Sequence, residues 1–508
     1  MGRRINQVAL DVLWAVLILL LPVTSLPLLS RLVGGSMVAP AAAIPLSIIA
    51  AIFLPAYFLK GGGLPRQVLP IFAFVLVAAI STALSFFIEF PLFRDINRLR
   101  NALSGILTLA IGILFFLTAA VTLGNPQQIE RFFRWINISG LISLVWAGGQ
   151  TAVWFAQGEY PQWMWDIQGM ISISGNLYVR RTTGFAFEPS WLGHQLVLFY
   201  LPYWLAASYN QRSAFGWRLW RISAENLLLA AGAGILFLSL SRSALVSFAL
   251  ALGLLTVRLT GRFVAWLHAK LNPQTSAAQK IKPRLILAAI WLVMLLAYGG
   301  ILFSGVVAIT QLDPRMEELF TVLRNPYNPL QAANYLFFGE RVAFWSAGLG
   351  VFGEFPILGA GLENAGFFFP EKLPISAWGI IEPHKMYYSA ALPNTLSLWV
   401  RLLAETGIIG FGLFFSFLFL MWKTTAAMLN HLQPAIATLA LTTQLTLTAL
   451  LMEGMSVDTF AFPYFWLILG WACAAYRMTR AVTVSSSAHG AEGGLGNGHT
   501  NSVAGSRQ

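Results

Sequence analysis

Ten stretches of this chain run for about 17 to 27 residues with few or no charges, near 8–29, 37–58, 68–89, 102–123, 135–156, 189–208, 285–309, 395–421, 434–452 and 460–476. Helices of that length cross a hydrocarbon layer of about 30 Å, and in lipid the backbone has to satisfy its own hydrogen bonds, as a helix does. The chain is therefore read as an all-α, polytopic membrane protein. Composition agrees: 57% of residues are hydrophobic and 10% are Asp, Glu, Lys or Arg, against roughly 25% charged in a soluble domain. The net charge of +12 does not point to a nucleic-acid partner, because the 32 Lys and Arg are scattered between apolar runs without a basic block or a recognition motif. The single cysteine, Cys473, allows no intramolecular disulfide and no thiol-rich metal site.

The first run follows Arg3 and Arg4 but is too long for a signal-peptide core of roughly 7–15 residues, and it reads as a retained helix. From about 485 to 508 the chain is small and polar, a tail unable to bury a core, and His489 and His499 lie in it. The stretch 226–257 is ambiguous. As one helix it is long; broken at Ser241-Arg242-Ser243 it makes two short ones. Charge favours the break, since two crossings put Arg212, Arg218 and Arg221 on the same side as Arg258, Arg262 and the basic loop 258–284. About twelve spans result, with both termini inside: 18 Lys and Arg fall on that side, against 7 in the short loops opposite. This predicts a multi-pass protein of the cytoplasmic membrane. Its parts are helices 1–5 in 1–156, helices 6–9 with an outer Arg-rich loop in 157–309, a large outer loop 310–394, helices 10–12 in 395–480, and a tail 481–508.

The outer loop 310–394 holds eight of the 20 acidic residues, and its stretch 332–352 has apolar residues at helical spacing, as in a helix lying on the membrane. Arg181, Arg242 and Arg341 fall at outer membrane boundaries, where the positive-inside bias disfavours them and an unpaired Arg costs at least about 2.5–3.5 kcal/mol. Snorkelling, or pairing with Glu188, Glu340 or Glu354, accounts for each one alone. Together, three planar guanidinium forks suit a diphosphate.

Four runs occur in order: Arg181-Thr182-Thr183-Gly184-Phe185; Ser241-Arg242-Ser243; Arg341 followed by Phe355-Pro356-Ile357-Leu358-Gly359-Ala360-Gly361; and Leu402-Leu403-Ala404-Glu405-Thr406-Gly407-Ile408-Ile409-Gly410. Their order and their placement around one large loop resemble the O-antigen ligase and polymerase superfamily, the Wzy and WaaL type of bacterial membrane glycosyltransferase. The resemblance covers roughly residues 175–415. It implies a GT-C-like fold and transfer of a glycan from a polyprenyl-diphosphate carrier to an acceptor sugar, outside the cytoplasmic membrane. Ligases use a lipid core as acceptor, and polymerases the next carrier-linked unit. The resemblance also implies catalysis without a metal or other cofactor, with Arg181, Arg242 and Arg341 holding the leaving diphosphate. A chain-length regulator or a flippase is an implied partner, besides membrane lipids. The Glu188-Pro189-Ser190 variant inclines the reading to polymerase.

Relatives often place a His eight or nine residues before the Glu of the Glu-x-Gly motif; here those positions are Leu396 and Ser397. His384 is the nearest histidine and the expected base, with an ordinary polar loop residue as its alternative reading, and Glu188 is a second catalytic candidate. Asn394, Ser397 and Glu405 are expected to orient the acceptor and the loop. For Glu188 a helix-dipole role is the alternative, and for Glu405 an internal pair with Arg401. His194 reads as a helix-packing residue, His268 and His431 as cytoplasmic, and Trp163, Trp165, Trp378 and Trp399 as an interfacial belt. A transporter or flippase of lipid-linked or anionic solutes is the competing function. It would spread charge through several spans, whereas here Asp11, Arg401 and Glu405 lie inside them and Glu89 and Glu453 at their edges. The topology predicts that Ala278→Cys, on a Cys473→Ser background, resists an impermeant thiol reagent in intact cells or spheroplasts; strong labelling there would contradict it.

Overall fold

A computed structural model describes residues 2–32, 38–271, 290, 292–300, 303–304, 307, 338–375, 377 and 392–494. They are mostly helical. In chain order the helices are α1 (Gly2–Leu20), α2 (Pro27–Leu32), α3 (Ala43–Leu59), α4 (Leu69–Ser85), α5 (Arg98–Thr122), α6 (Pro126–Gln157), α7 (Gln162–Ile171), α8 (Pro189–Gln195) and α9 (Leu201–Tyr209). There follow α10 (Ala224–Ser239), α11 (Arg242–Leu271), α12 (Gly339–Glu354), α13 (Phe369–Lys372), α14 (Leu398–Ala426), α15 (Pro434–Glu453) and α16 (Pro463–Gly494). A two-residue hairpin, β1 (Arg218–Leu219) with β2 (Ile222–Ser223), is the one sheet among the described residues. Six of these helices are long and apolar enough to cross a membrane, and three shorter apolar helices accompany them.

Local chemistry sets the helix ends. α6 starts ahead of its apolar run because Asn125 and Gln128 form a reciprocal capping box with Pro126 at the first helical position. The opening apolar run is not a single helix: α1 stops at Leu20, just before Pro22, and α2 restarts at Pro27. The stretch 226–257 breaks as its charges predict. α10 ends at Ser239, Leu240 takes a left-handed conformation (φ 50°), and α11 begins at Arg242. Helix α12 overlaps the expected surface stretch, but its apolar face is covered by protein. Ala343, Phe344, Ala347 and Val351 pack instead with Phe367, Phe368 and Phe369 in a small cap core.

The connections sort to two ends of the bundle. At one end Ser25 pairs with Ala39 and Ser172, Thr182 N–H donates to Leu238 O, Asn364 Nδ2 donates to Ser85 Oγ, and Arg341 reaches Leu396 O and Ser456 O. At the other end Arg212 pairs with Glu130, Arg134 with Ala214 O, Asp11 with Arg131 and Arg477 with Tyr57. Arg262, Lys423 and Arg480 there lie over the rings of Tyr209, Phe419 and Tyr476, pairs suited to a headgroup layer.

Helix α14 is broken at Gly407, whose φ of 62° and ψ of −169° only glycine tolerates. The segment Phe355–Gly361 threads the break. Ala360 N–H and Gly361 N–H donate to Ala404 O and Glu405 O, while Ile408 N–H and Ile409 N–H donate to Pro356 O and Ile357 O. Two of the motifs singled out in the sequence are thus the two halves of one contact. A Cβ on Gly359 would lie 2.3 Å from Glu405 C, and one on Gly407 2.2 Å from Ile357 O. Gly359→Ala and Gly407→Ala should each destabilise the protein by about 2 kcal/mol or more, since such backbone strain alone costs about 1–3 kcal/mol. Gly412→Ala, in the same helix with open space around it, should not. Thermal melting in detergent checks this; equal melting of all three variants would contradict it.

Candidate functional site

The first end of the bundle gathers the three arginines of the sequence motifs. Arg181 Nε donates to Ser239 O at 3.2 Å, which docks it on the last residue of α10, three residues before Arg242. Arg242 and Arg341 both approach the ring of Phe338, with guanidinium carbons 5.6 and 5.8 Å from its centroid. All three are half-buried. Elements far apart in sequence therefore present their guanidinium groups around one corner, formed by the α10–α11 turn and the head of α12. Trp345, one helical turn beyond Arg341, packs edge-on to Phe338, and its buried Nε1 has no hydrogen-bond partner among the described residues.

Glu188 caps α8 by position, without a side-chain cap bond, and accepts a hydrogen bond from Ser190 Oγ. Tyr178 lies within electrostatic reach of both Glu188 and Arg181. Burial, helped by the Glu188 carboxylate, pushes its phenol above the ordinary value, and Arg181 acts against this. Ser397 caps α14, its Oγ accepting from Val400 N–H at 3.4 Å and donating to Gly454 O at 3.0 Å. Exposed Asn394 accepts from Leu396 N–H at 3.3 Å. Both therefore shape the loop that leads into α14. His384 and Trp378 lie outside the described residues.

Beneath this surface are two buried polar clusters. In one, Arg401 Nε meets Glu405 at 2.9 Å and its Nη2 meets Glu363 at 2.8 Å, while Nη1 donates to Asp458 O. The Arg401–Glu405 pair is the one that their spacing suggests, and Glu363 ties the cap to it. Burial pushes the Asp458 carboxyl above its ordinary range; Arg401 opposes this, Glu363 adds to it, and Arg341 opposes it again. Asp458 Oδ2 is buried and has no hydrogen-bond partner among the described residues. In the second cluster His194 Nδ1 contacts Glu453 Oε2, and Ser247 Oγ donates to Glu453 Oε1 at 2.9 Å. His194 is thus more than a packing residue. Its carboxylate partner lies 259 positions away, a separation that hides the pairing from any local pattern. Glu363, Asp458 and Trp345 were likewise not singled out from the sequence, although the four-residue step from Arg341 to Trp345 was readable. No group of three or more His, Cys, Asp or Glu side chains among the described residues is placed to hold a metal ion.

These features define a polytopic helical membrane protein with a cationic corner at one end, beside a helical cap. Residues 227–415 match the family model Wzy_C, described as O-antigen ligase, a match that supports the O-antigen ligase and polymerase superfamily for this part of the chain. The matched segment holds Arg242, Arg341, the cap and the broken helix; Arg181 and Glu188 precede it. None of the curated proteins compared with the chain matches it. Arg401→Gln strands two carboxylates and should lower stability by about 3–5 kcal/mol, as breaking a buried pair does. Limited proteolysis should then cut the cap, 338–375, faster than in the wild type. An unchanged melting temperature and cleavage pattern would contradict the tether.

Proposed function

We propose that this protein is a GT-C-type glycosyltransferase of the cytoplasmic membrane, with about twelve spans, both termini cytoplasmic and the arginine corner outside. It transfers a glycan from a polyprenyl-diphosphate carrier to an acceptor sugar, as a polymerase or a ligase of O-antigen or exopolysaccharide. The observation that carries the reading is the convergence of Arg181, Arg242 and Arg341 in a chain whose residues 227–415 match an O-antigen ligase model. The leaving group is a lipid diphosphate, so the transition state needs positive charge held where the C1–O bond to phosphate lengthens. Three forks fixed to backbone carbonyls and an aromatic ring supply that charge without reorganising. Trp345 Nε1 offers one more donor beside them. On the acceptor side the sequence offers His384 and Glu188 as bases, with Asn394, Ser397 and Glu405 ordering the loop. The competing reading, a transporter or flippase, is less well supported, because its arginines would follow a path across the bundle and these gather at one end.

Arg181→Ala, Arg242→Ala and Arg341→Ala should each lower transfer by at least about tenfold at matched expression, and lysine should restore it only in part because an ammonium lacks the bidentate fork. Glycan transfer by the purified protein, with lipid-linked donor in EDTA, measures this. Wild-type rates from all three alanine variants would leave the diphosphate without its holders. Mass analysis of glycans from a deletion strain separates the two acceptors: single repeat units left on the carrier mean polymerase, full chains mean ligase.

A further inference from the structure

We propose that His194, in place of His384 or Glu188, is the base that takes the acceptor's proton, with Glu453 and Ser247 positioning it; this rests on the glycosyl-transfer reading. His194 comes from α8, Ser247 from α11 and Glu453 from the last residue of α15. The His194 and Glu453 side chains are 4% and 0% exposed, so the pair is fully withdrawn from water. Ionisable groups inside a membrane bundle are expensive, and packing alone does not call for them: buried ion pairs can usually be replaced by apolar residues at little loss. With Nδ1–H donating to Glu453, the imidazole is held in the tautomer whose Nε2 accepts a proton. The carboxylate then stabilises the imidazolium that forms, the division of labour of a His oriented by an acid.

The cluster lies directly behind the arginine corner. Gly193, next to His194, packs so closely on the α10–α11 turn that a Cβ there would meet Ala244 Cβ at 2.8 Å and Ser241 Cβ at 2.9 Å, the neighbourhood of Arg242. On its other side α8 touches the Arg181 loop, where a Cβ on Gly184 would lie 3.2 Å from Leu192 Cδ1. Phe462, 6.2 Å from the imidazole ring, and Trp191, edge-on to Phe462 at 4.8 Å, cover it. An incoming sugar ring displaces Phe462 and stacks on these apolar faces. The acceptor hydroxyl gives its proton to Nε2 as its oxygen bonds C1. The C1–O bond to phosphate breaks, and its electron pair leaves with the diphosphate held by the arginines. The imidazolium afterwards gives its proton to water that enters as the product leaves.

The test uses full-length purified protein, the lipid-linked glycan pool extracted from cells deleted for it as donor, and envelope lipids of those cells as acceptor. Binding of polyprenyl diphosphate is measured in parallel. His194→Asn keeps an N–H donor for Glu453 but has no basic nitrogen. It should melt and bind like the wild type, with an unchanged KM for donor, yet lose about 10²-fold or more in kcat. Added imidazole should restore part of the rate to His194→Gly. Glu453→Gln should lower kcat at constant KM. A His194→Asn rate within twofold of wild type would overturn the proposal, as would a parallel loss of diphosphate binding and turnover, the mark of a structural role. A wild type that binds no lipid diphosphate would instead sink the glycosyl-transfer reading, and the base with it.

Discussion

The turn at Gly407 releases the carbonyls of Ala404 and Glu405 and the N–H groups of Ile408 and Ile409 from α14 in apolar surroundings. Unpaired, each such group costs several kcal/mol in lipid. The segment Phe355–Gly361 answers all four, and Ser81 Oγ adds a bond of 2.9 Å to Glu405 O. Much of the architecture at this end of the bundle follows from that exchange. The cap is stitched to a spanning helix rather than resting on it, and Arg401, one turn before Glu405, is brought to Glu363 at the cap's edge. Arg341, at the head of α12, is carried to the backbone of Ser456, just past the end of α15.

The same physics explains why the site is cationic on its face and acid-base behind. Guanidinium groups tolerate partial burial because they stay charged and can bond carbonyls and rings at once, as Arg341 does with Leu396 O and the Phe338 ring. A base must instead be drier and oriented. His194 meets that condition through three helices, whereas a residue on an exposed loop such as Asn394 does not. Sequence separation between the two layers is large, but α8 spans them, from Glu188 at its head to His194 inside.

Six of the spans, the break at Arg242 and the grouping of the three arginines were legible because each leaves a local trace: an apolar run, a charge out of place, a motif. The glycines of Phe355–Gly361 and Glu405–Gly410 were visible as letters, but their interlock was not, since hydrogen bonds between distant segments have no sequence period. Polar pairs inside the bundle were half legible. Arg401 with Glu405 follows helical spacing, whereas His194 with Glu453 needs three dimensions. The resemblance directs attention to positions 396 and 397 for a histidine. Ser397 there bonds Gly454, the residue after Glu453, so the missing histidine and His194 belong to one corner. The α12 surface misled, because a helical apolar pattern does not say whether lipid or a cap core will cover it.

The function proposed for the arginine corner is recognition of a diphosphate on a lipid. Its most direct test is the affinity of the purified protein for polyprenyl diphosphate against polyprenyl monophosphate of the same chain length, at two salt concentrations. The diphosphate should bind at least about tenfold more tightly, salt should narrow the gap, and Arg242→Ala should abolish it. Equal affinity for the two lipids, unaffected by Arg242→Ala, would contradict the account.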